Sequence, residues 1–323
     1  MKIIVDAMGG DNAPEAIVKG SVMAAEKLGV EVVLVGDEAQ IKSHLSGSGK
    51  NISIVHTTQV ITCDDDPVKS IRSQKDSSVV VGMKMTADGQ GDAFVSAGST
   101  GAVISGATLI IKRIKGIRRV ALAPILPSKG SPTLLIDCGA NADCTVDFLT
   151  QFAVMGRAYA KAFMGVAEPK IGLLNNGAEA SKGSELAKDA YKALDEMPIN
   201  FIGNIEAREA LNGVTDVLVT DGFTGNILLK SIEGTAKFMS VLMKEMFTKN
   251  IITKICAIIL SKEIKNFKNN FSQDEYGGAP VLGASKVVIK AHGSAEEYAF
   301  YNAIRQAKVC VEQNLIAAIE QNI

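Results

Sequence analysis

The sequence lacks the segments and spacings that mark several classes of protein. No apolar run approaches the roughly 20 residues of a membrane-spanning helix. The N-terminal MKIIVDAMGG has no extended apolar core of the kind found in secretory signal peptides. Only three histidines occur, and the five cysteines, at positions 63, 138, 144, 256 and 310, include no C-x-x-C pair. We therefore expect reduced thiols in a cytoplasmic protein, with no metal site and no cofactor.

Net charge is also nearly absent, but the charges are unevenly distributed. The chain has 34 Lys and Arg against 35 Asp and Glu, with 47% hydrophobic residues, which excludes a disordered protein. No acidic residue occurs from Ala93 to Ile136, a zone of charge +6, and Lys249–Phe271 carries +4, so the rest of the chain carries −11. Two basic zones predict anionic partners, such as phosphate, an acidic protein or a lipid surface. We expect no nucleic acid, because neither zone interleaves the aromatic residues that stack on bases.

Short β-branched segments alternate with longer helical patterns, which is typical of parallel βαβ units. Strands are predicted at 2–6, 30–36, 52–56, 92–96, 119–125, 132–137, 169–174, 199–202 and 215–220, and before His292. Helices are predicted at 13–28, 67–87, 101–115, 145–164, 184–196, 226–247 and 295–320. Without a linker or an internal repeat, one continuous α/β unit is the simplest organisation.

Residues 250–270 break this alternation. Their apolar side chains recur at three- and four-residue spacings, and lysines occupy much of the opposite arc, which predicts a basic amphipathic helix or a projecting helical pair. The same periodicity suits a helix packed on the core or at a dimer interface. The residues predicted to contact a membrane surface are Ile252, Ile255, Ile258, Ile259, Lys254, Lys262 and Lys265.

Five predicted strands end in turns rich in glycine and polar residues. These turns are DAMGGD (6–11), SAGSTGA (96–102), DCGAN (137–141), NNGAEASKG (175–183) and TDGFTGN (220–226). Glycine lets backbone N–H groups approach a ligand, and helix N-termini favour anions. One such turn suits a simple helix cap, whereas five at the same edge of a parallel sheet predict an anion-binding crevice. A dinucleotide site is not indicated, because no G-x-G-x-x-G follows the first strand.

The motifs together resemble the bacterial phosphate acyltransferase family, the acyl-[acyl-carrier-protein]:phosphate acyltransferases of phospholipid synthesis. The matching stretches are VDAMGGDNAP (5–14), VSAGSTGA (95–102), DCGAN (137–141), NFIGNIEAREAL (200–211), TDGFTGNILLK (220–230), EYGGAPVLG (275–283) and VIKAHGS (288–294). They span nearly the whole chain in the family's order. Val120, where the family pattern has Pro, and Ala178 and Ala180, where it is richer in Glu, are departures.

The resemblance implies a three-layer α/β/α sandwich with a mostly parallel sheet, similar to isocitrate and isopropylmalate dehydrogenases and to phosphotransacetylases. It implies a homodimer whose single domain spans 1–323, with a helical hairpin projecting at about 238–275. The implied reaction transfers a fatty acyl group from acyl carrier protein to inorganic phosphate. Because the acyl phosphate feeds a membrane glycerol-3-phosphate acyltransferase, we expect a cytoplasmic enzyme associated peripherally with the inner face of the cell membrane.

This reaction suits the residues of the five turns. Phosphate near neutral pH needs positioning and oxyanion donors more than deprotonation. The candidate catalytic residues are Lys182 for charge stabilisation, Asn141 and Asn226 as donors, His292 for protonation of the leaving sulfur and Asp6 for orientation. Phosphate or substrate binding is assigned to Gly9, Gly10, Ser99, Thr100, Gly101, Asn176, Glu179 and Asp221. Docking of the acidic carrier is assigned to Lys112, Arg113, Lys115, Arg118 and Arg119. Each polar residue of the turns suits a structural cap equally well.

Three other functions fit parts of the pattern. A phosphotransacetylase would use acyl-CoA as the donor and have similar polar turns. A nicotinamide-dependent decarboxylating dehydrogenase would need a metal-binding Asp cluster and a cofactor loop, neither of which we can locate in the sequence. A non-catalytic regulator would bind lipid or carrier protein without forming acyl phosphate.

Overall fold

A computed structural model describes residues 1–45, 49–264, 275 and 277–323 of the chain. The strands are β1 Lys2–Asp6, β2 Glu31–Gly36, β3 Ile52–His56, β4 Ala93–Ser96, β5 Ala121–Leu122, β6 Ile125–Leu126, β7 Thr133–Ile136, β8 Ile171–Asn175, β9 Phe201–Glu206, β10 Val217–Val219, β11 Gly278–Leu282 and β12 Val287–Ala291. The helices are α1 Glu15–Leu28, α2 Glu38–His44, α3 Pro67–Ser73, α4 Ser78–Ala87, α5 Thr100–Gly106, α6 Val146–Ala162, α7 Glu185–Asp195, α8 Gly222–Thr248, α9 Ile251–Ile259, α10 Glu297–Glu312 and α11 Leu315–Glu320. The expected α/β fold with mostly parallel strands is confirmed.

The strands form two sheets. In the first, the order is β3-β2-β1-β4-β12-β11-β5, and only β11 runs antiparallel to its neighbours. In the second, the order is β6-β7-β10-β8-β9, and only the β6–β7 pair is antiparallel. Because the carboxyl ends of parallel strands meet at one edge, each sheet brings its polar turns together there.

The two sheets meet at a short segment that the sequence predicts as one strand, 119–125. The chain instead forms β5 in the first sheet and β6 in the second, with Pro124 between them. Proline has no N–H for a strand ladder, which explains the interruption. The Ala123 amide donates to the Pro280 carbonyl of the first sheet, and the Leu135 amide of the second sheet donates to the Pro124 carbonyl.

The segment 67–87, predicted as one helix, forms two separate helices. The first part, α3, begins at Pro67 and is capped by Asp66, whose side chain accepts a hydrogen bond from the Lys69 amide. The second part, α4, begins at Ser78, which is buried. The predicted helix 101–115 is likewise shorter, since α5 passes into a π-helical turn at Ala107–Ile111. The short helix α2 and the strand β11 have no counterpart among the predicted elements.

Helices α8 and α9 project from the second sheet. Helix α8 buries only Gly222, Gly225 and Leu229, so about 28 Å of helix extends beyond its last buried residue. Helix α9 begins with a reciprocal cap between Asn250 and Thr253 and has no buried residue. The predicted contact residue Lys265 lies outside the described residues. Among the described helices, none combines the length and apolar character needed to cross a bilayer.

Candidate active site

Asp6 and Ser96 form the base of a polar cluster at the edge of the first sheet. They lie opposite each other at the ends of β1 and β4, and both are fully buried. The Ser96 hydroxyl donates to Asp6 Oδ2 at 2.6 Å, and the Met8 amide donates to Oδ1 at 3.2 Å. Burial raises the pKa of the Asp6 carboxyl, while hydrogen bonds from Ser78 and Ser96 oppose that shift.

The two glycine-rich turns above this pair touch each other. A Cβ on Gly9 would lie 2.4 Å from Asp6 Oδ2 and 2.7 Å from the Gly98 nitrogen, so only glycine allows this approach. Ser99 is half-buried and Thr100 exposed, and neither hydroxyl has a hydrogen-bond partner among the described residues. Gly10, Ser99 and Thr100 are therefore brought to one crevice, with free hydroxyls at its rim. Gly101 instead packs against Pro67, where a Cβ would meet the ring at 2.5 Å.

Lys290 is a residue of this cluster that the sequence analysis did not assign. It lies opposite Ser96 in the parallel pairing of β12 with β4, and it is only 7% exposed. Its Nζ donates to the carbonyls of Ala97 (3.3 Å) and Ala291. Burial lowers the pKa of Lys290 to about 8, and the charges of Cys63, Asp6 and Asp11 work against this shift. A charged lysine within the otherwise apolar strand of VIKAHGS is the sequence feature that could have identified Lys290 as a site residue.

The turn carrying His292 joins the same cluster. His292 is exposed, and its Nδ1 lies 2.8 Å from Ser294 Oγ and accepts a hydrogen bond from the Ser294 amide. In the neutral ring the proton is then on Nε2, which can donate. The Asp11 amide donates to the Gly293 carbonyl at 2.8 Å. The turns after β1, β4 and β12 are thus tied together.

A second polar cluster lies where β7 meets the start of α8. Asp137 is fully buried and accepts hydrogen bonds from the amides of Leu122 and Asn141, and from Asn141 Nδ2 at 2.9 Å. Burial raises the pKa of Asp137, and its bonds to Asn141 oppose the shift. Asn141 Nδ2 also donates to the Val120 carbonyl at 2.8 Å, which occupies the second N–H of that amide.

Asp221 and Asn226 lie at this second cluster. Asp221 caps α8, accepting from the amide and hydroxyl of Thr224 at 2.8 and 2.7 Å. Asn226 is exposed and adjoins the turn after β7, since a Cβ on Gly139 would lie 3.7–3.9 Å from its side chain. Of these two residues, Asn226 has the amide that is accessible to a ligand.

Asn176, Glu179 and Lys182 form a third group, all exposed, after β8. Because β8 pairs with β10, this turn adjoins the one that starts α8. The Asn175 side chain stabilises this turn. Its Oδ1 accepts a hydrogen bond from the Asn176 amide at 2.8 Å, and its Nδ2 donates one to the Lys182 carbonyl at 3.2 Å. Among the described residues, Lys182 forms no ion pair, so its ammonium group is available.

The predicted docking residues form an exposed basic surface. Ile114 and Ile117 are buried, and the five intervening or flanking basic residues Lys112, Arg113, Lys115, Arg118 and Arg119 all face solvent. Arg118 pairs with Asp147 at 3.2 Å, and the Arg119 guanidinium lies 5.5 Å from the Phe148 ring centre. Asp147 neutralises only part of this charge.

Comparison with known proteins shows the family of this chain. The family model described as "Fatty acid synthesis protein" matches residues 1–318. A phosphate acyltransferase of Thermoanaerobacterium thermosaccharolyticum is 49% identical over 323 residues, covering all of this chain and 97% of that protein. The chain belongs to the phosphate acyltransferase family. A phosphate acyltransferase of Bacillus licheniformis is 46% identical over 325 residues, covering all of this chain and 98% of its own length. Family membership makes the chain an acyltransferase enzyme.

Solved structures show how widely the fold of this phosphate acyltransferase family member is shared. A phosphotransacetylase from Streptococcus pyogenes superposes with a TM-score of 0.62 at 17% identity, covering 98% of this chain and 94% of that one. A 4-hydroxythreonine-4-phosphate dehydrogenase from Klebsiella pneumoniae gives 0.54 at 13%, covering 96% and 98%. Proteins of different activity have this fold, so these structural similarities establish the fold of the chain but not its activity.

Proposed function

We propose that this enzyme transfers a fatty acyl group from acyl carrier protein to inorganic phosphate, giving acyl phosphate for phospholipid synthesis. The observation that carries the proposal is the full-length match to phosphate acyltransferases, which includes all the polar turns described above. A phosphate oxygen attacks the thioester carbonyl carbon and forms a tetrahedral intermediate. The C–S bond then breaks, and the carrier leaves as a thiol after taking up one proton.

Phosphate is held at the crevice of the first sheet. The approach of the turns at Gly9 and Gly98 supports this assignment, as do the hydroxyls of Ser99 and Thr100, which have no hydrogen-bond partner in the described part of the chain. Asp6 is buried beneath the turns and hydrogen-bonded to Ser96, so it shapes the crevice rather than acting as a base. Lys290 holds the Ala97 carbonyl and adds a buried positive charge below the same turns.

Direct attack by phosphate requires no acyl-enzyme. Cys138 lies in the turn of the second cluster and Cys144 follows that turn, and burial raises their pKa values to about 12 and about 11. Both thiols are therefore protonated at neutral pH, and a protonated thiol is a poor nucleophile. This supports a single displacement at the carbonyl.

The developing oxyanion is stabilised by Lys182 and the Asn226 amide, whose donor groups are exposed. Asn141 acts as a positioning residue, because both of its N–H groups are used by Asp137 and Val120. His292 donates from Nε2 to the leaving sulfur. A cysteine-like thiol has a pKa of about 8.5, so this proton transfer adds less than the oxyanion donors do.

The acidic carrier docks on the exposed basic surface formed by Lys112, Arg113, Lys115, Arg118 and Arg119. Surface charge of one sign raises the association rate of an oppositely charged partner more than it raises the affinity. The projecting helices α8 and α9 are suited to delivering the apolar product to a membrane. Isoleucines such as Ile252 and Ile259 are 69% and 74% exposed, and exposed apolar residues of this kind mark an interaction surface. We assign α9, with Lys254 and Lys262, to reversible contact with an anionic membrane near the glycerol-3-phosphate acyltransferase that uses the product.

The enzyme acts as a homodimer in this proposal. Helix α8 carries exposed apolar residues before the membrane element, among them Phe238, Val241 and Leu242. Such a face is stabilised by pairing with the same face of a second copy. Sedimentation of the purified protein at micromolar concentration tests this, and a monomer would contradict it.

The donor decides between this function and its nearest rival. Purified protein is incubated with phosphate and either palmitoyl-carrier protein or palmitoyl-CoA, and acyl phosphate is trapped with hydroxylamine. The proposal predicts acyl hydroxamate chiefly from the carrier substrate. Product from acyl-CoA alone would indicate a phosphotransacetylase, and no product from either would indicate a non-catalytic protein.

A further inference from the structure

The motif NFIGNIEAREAL, residues 200–211, contains none of the residues assigned above, yet its strand β9 lies beside the strand that leads to Lys182. Ile171 of β8 pairs with Phe201 and Leu173 with Asn204, so β9 advances three residues where β8 advances two. The extra residue forms a bulge, which Gly203 allows with a φ of +94°. A bulge redirects the side chains that follow it, and the next residue, Asn204, is only 7% exposed.

The buried side chain of Asn204 reaches the turn after β8. Its Nδ2 donates to the Glu179 carbonyl at 2.9 Å, and the same carbonyl accepts from the Lys182 amide at 3.0 Å, which closes the β-turn 179–182. At the other end of this turn, the Lys182 carbonyl accepts from Asn175 Nδ2 at 3.2 Å. Both ends of the turn are therefore tied to residues of the second sheet, one on β8 and one on β9.

The side chain of Lys182 is also held at its base. A Cβ on Gly177 would lie 2.8 Å from Lys182 Cγ and 3.3 Å from Lys182 Cβ, so the first part of the lysine side chain packs directly on this glycine. The residue as a whole is exposed. A fixed turn and a packed base together place the ammonium group, which the rest of the side chain carries toward solvent.

Stability alone does not account for an asparagine at position 204. Its Oδ1 is buried and has no hydrogen-bond partner among the described residues. A buried acceptor without a partner lowers the stability of the folded state, and an apolar side chain of similar volume would avoid that cost. The donor Nδ2, which acts on the Glu179 carbonyl, is the group that sets asparagine apart from such a residue.

We propose that Asn204 is a positioning residue for acyl transfer, which acts through the Glu179 carbonyl to hold the turn that places the Lys182 ammonium at the developing oxyanion. This inference rests on the proposed function, because the role of Lys182 is assigned there. Misplacement of a stabilising group by 1 Å can cost about 10²-fold in rate, so a hydrogen bond remote from the reacting atoms can affect turnover. Asn204 itself touches neither the phosphate nor the donor.

The first test compares two substitutions that remove the same donor. Asn204→Leu fills the site and removes the buried acceptor, whereas Asn204→Ala leaves a cavity, so the leucine variant should be the more stable of the two in urea. A positioning role predicts that kcat falls about tenfold or more in both, with the KM values for phosphate and palmitoyl-carrier protein little changed. An unchanged kcat, or a loss of kcat that follows the loss of stability, would overturn the inference.

Thr133→Val is the matched control. Thr133 is fully buried and donates to the Thr215 carbonyl at 2.8 Å, at the amino end of β7 and so at the opposite edge of the same sheet. The substitution keeps the volume and removes one buried hydrogen bond, so it should lower stability and leave kcat unchanged. A kcat loss equal to that of Asn204→Leu would overturn the inference.

The second test asks whether Asn204 acts through Lys182. In the Lys182→Ala background, Asn204→Leu should cause no further fall in kcat, because the group that it positions is already absent. Losses that multiply in the double variant would overturn the inference, since Asn204 would then act on another part of the site.

The third test needs no catalysis. Amide hydrogen exchange over residues 176–183, measured by mass spectrometry, should be faster in Asn204→Leu than in the wild type and unchanged in Thr133→Val. Equal exchange in the wild type and Asn204→Leu would overturn the inference whether or not the enzyme makes acyl phosphate. Absence of acyl phosphate with the wild type would instead refute the proposed function.

Discussion

The Ser96 hydroxyl donates a 2.6 Å hydrogen bond to Oδ2 of Asp6, and both side chains are fully buried at the ends of neighbouring parallel strands. The same hydroxyl accepts from the Gly98 amide at 3.0 Å. One serine thus links a buried carboxyl to the glycine turn of the candidate phosphate crevice. Its removal should affect both stability and phosphate binding.

Ser96→Ala is expected to lower the free energy of unfolding by about 1–3 kcal/mol, because a buried carboxyl and a buried amide each lose a partner. The KM for phosphate should rise while the KM for the carrier substrate changes little. Urea denaturation and initial rates measure the two effects. Ser43→Ala, which removes a hydroxyl from the exposed end of α2, should change neither. An unchanged phosphate KM in a destabilised Ser96→Ala would leave Ser96 with a structural role only.

Lys290 gives a prediction about stability and pH. Its pKa falls from 10.5 to about 8 on folding, chiefly through burial, so between these values the unfolded chain binds more protons than the folded one. Stability contributed by this residue is therefore present above pH 10.5 and is lost as pH falls through about 8. Relative to Lys290→Met, the wild type should gain stability between pH 8 and 10.5 in chemical denaturation.

The pH dependence of Lys290→Met itself should be flatter across that interval. Lys84→Met, at an exposed position of α4, is the control and should keep the wild-type profile. Identical pH profiles for the wild type and Lys290→Met would show that the buried ammonium is not perturbed on folding. The Cys63 thiol, the carboxylates of Asp6 and Asp11 and the ammonium of Lys230 all act on this group and belong to the measured difference.

Lys182→Ala should lower kcat by about 10²-fold, the scale of losing one donor to a developing oxyanion, with a smaller change in either KM. Lys192→Ala, on the exposed surface of α7, should retain wild-type rates. Both substitutions leave buried packing intact, so circular dichroism should show the same fold. Full acyl phosphate formation by a folded Lys182→Ala would remove this residue from the mechanism.

Ile255→Asp/Ile259→Asp should abolish sedimentation of the protein with vesicles containing anionic lipid. The two side chains are 52% and 74% exposed on α9, and two carboxylates would oppose both apolar insertion and surface attraction. Val60→Asp/Ile202→Asp places the same charges on exposed apolar positions outside the projecting helices. Wild-type pelleting by the α9 variant, or equal loss in both variants, would refute the membrane role of α9.

Much of the fold could be predicted from the sequence because the relevant signals are local. The bounds of β1 and β3 are as expected, since each is a short apolar run ending in a polar turn. The segment 119–125 was predicted as one strand because its apolar run looks continuous, but Pro124 divides it between two sheets. Strand β11 was missed because its glycine and proline residues hide its pairing with β12.

The candidate site was predictable only in part for a related reason. The turns at Gly9 and Gly98 meet because parallel strands end at one edge of a sheet. The alternation of strands and helices along the sequence already predicts such a parallel sheet. Lys290 joins them only through the register of β12 against β4, strands almost 200 residues apart, and register has no local signal. The occupation of both Asn141 N–H groups depends likewise on where Val120 and Asp137 meet.

In the proposed reaction, phosphate itself attacks the thioester. The most direct measurement mixes the enzyme with palmitoyl-carrier protein and ³²P-labelled phosphate, and follows acyl phosphate and free carrier thiol in the same samples. If phosphate attacks directly, the two products form together in equal amounts and no thiol is released when phosphate is omitted. Thiol release without phosphate, accompanied by an acylated form of the protein in the mass spectrum, would contradict it.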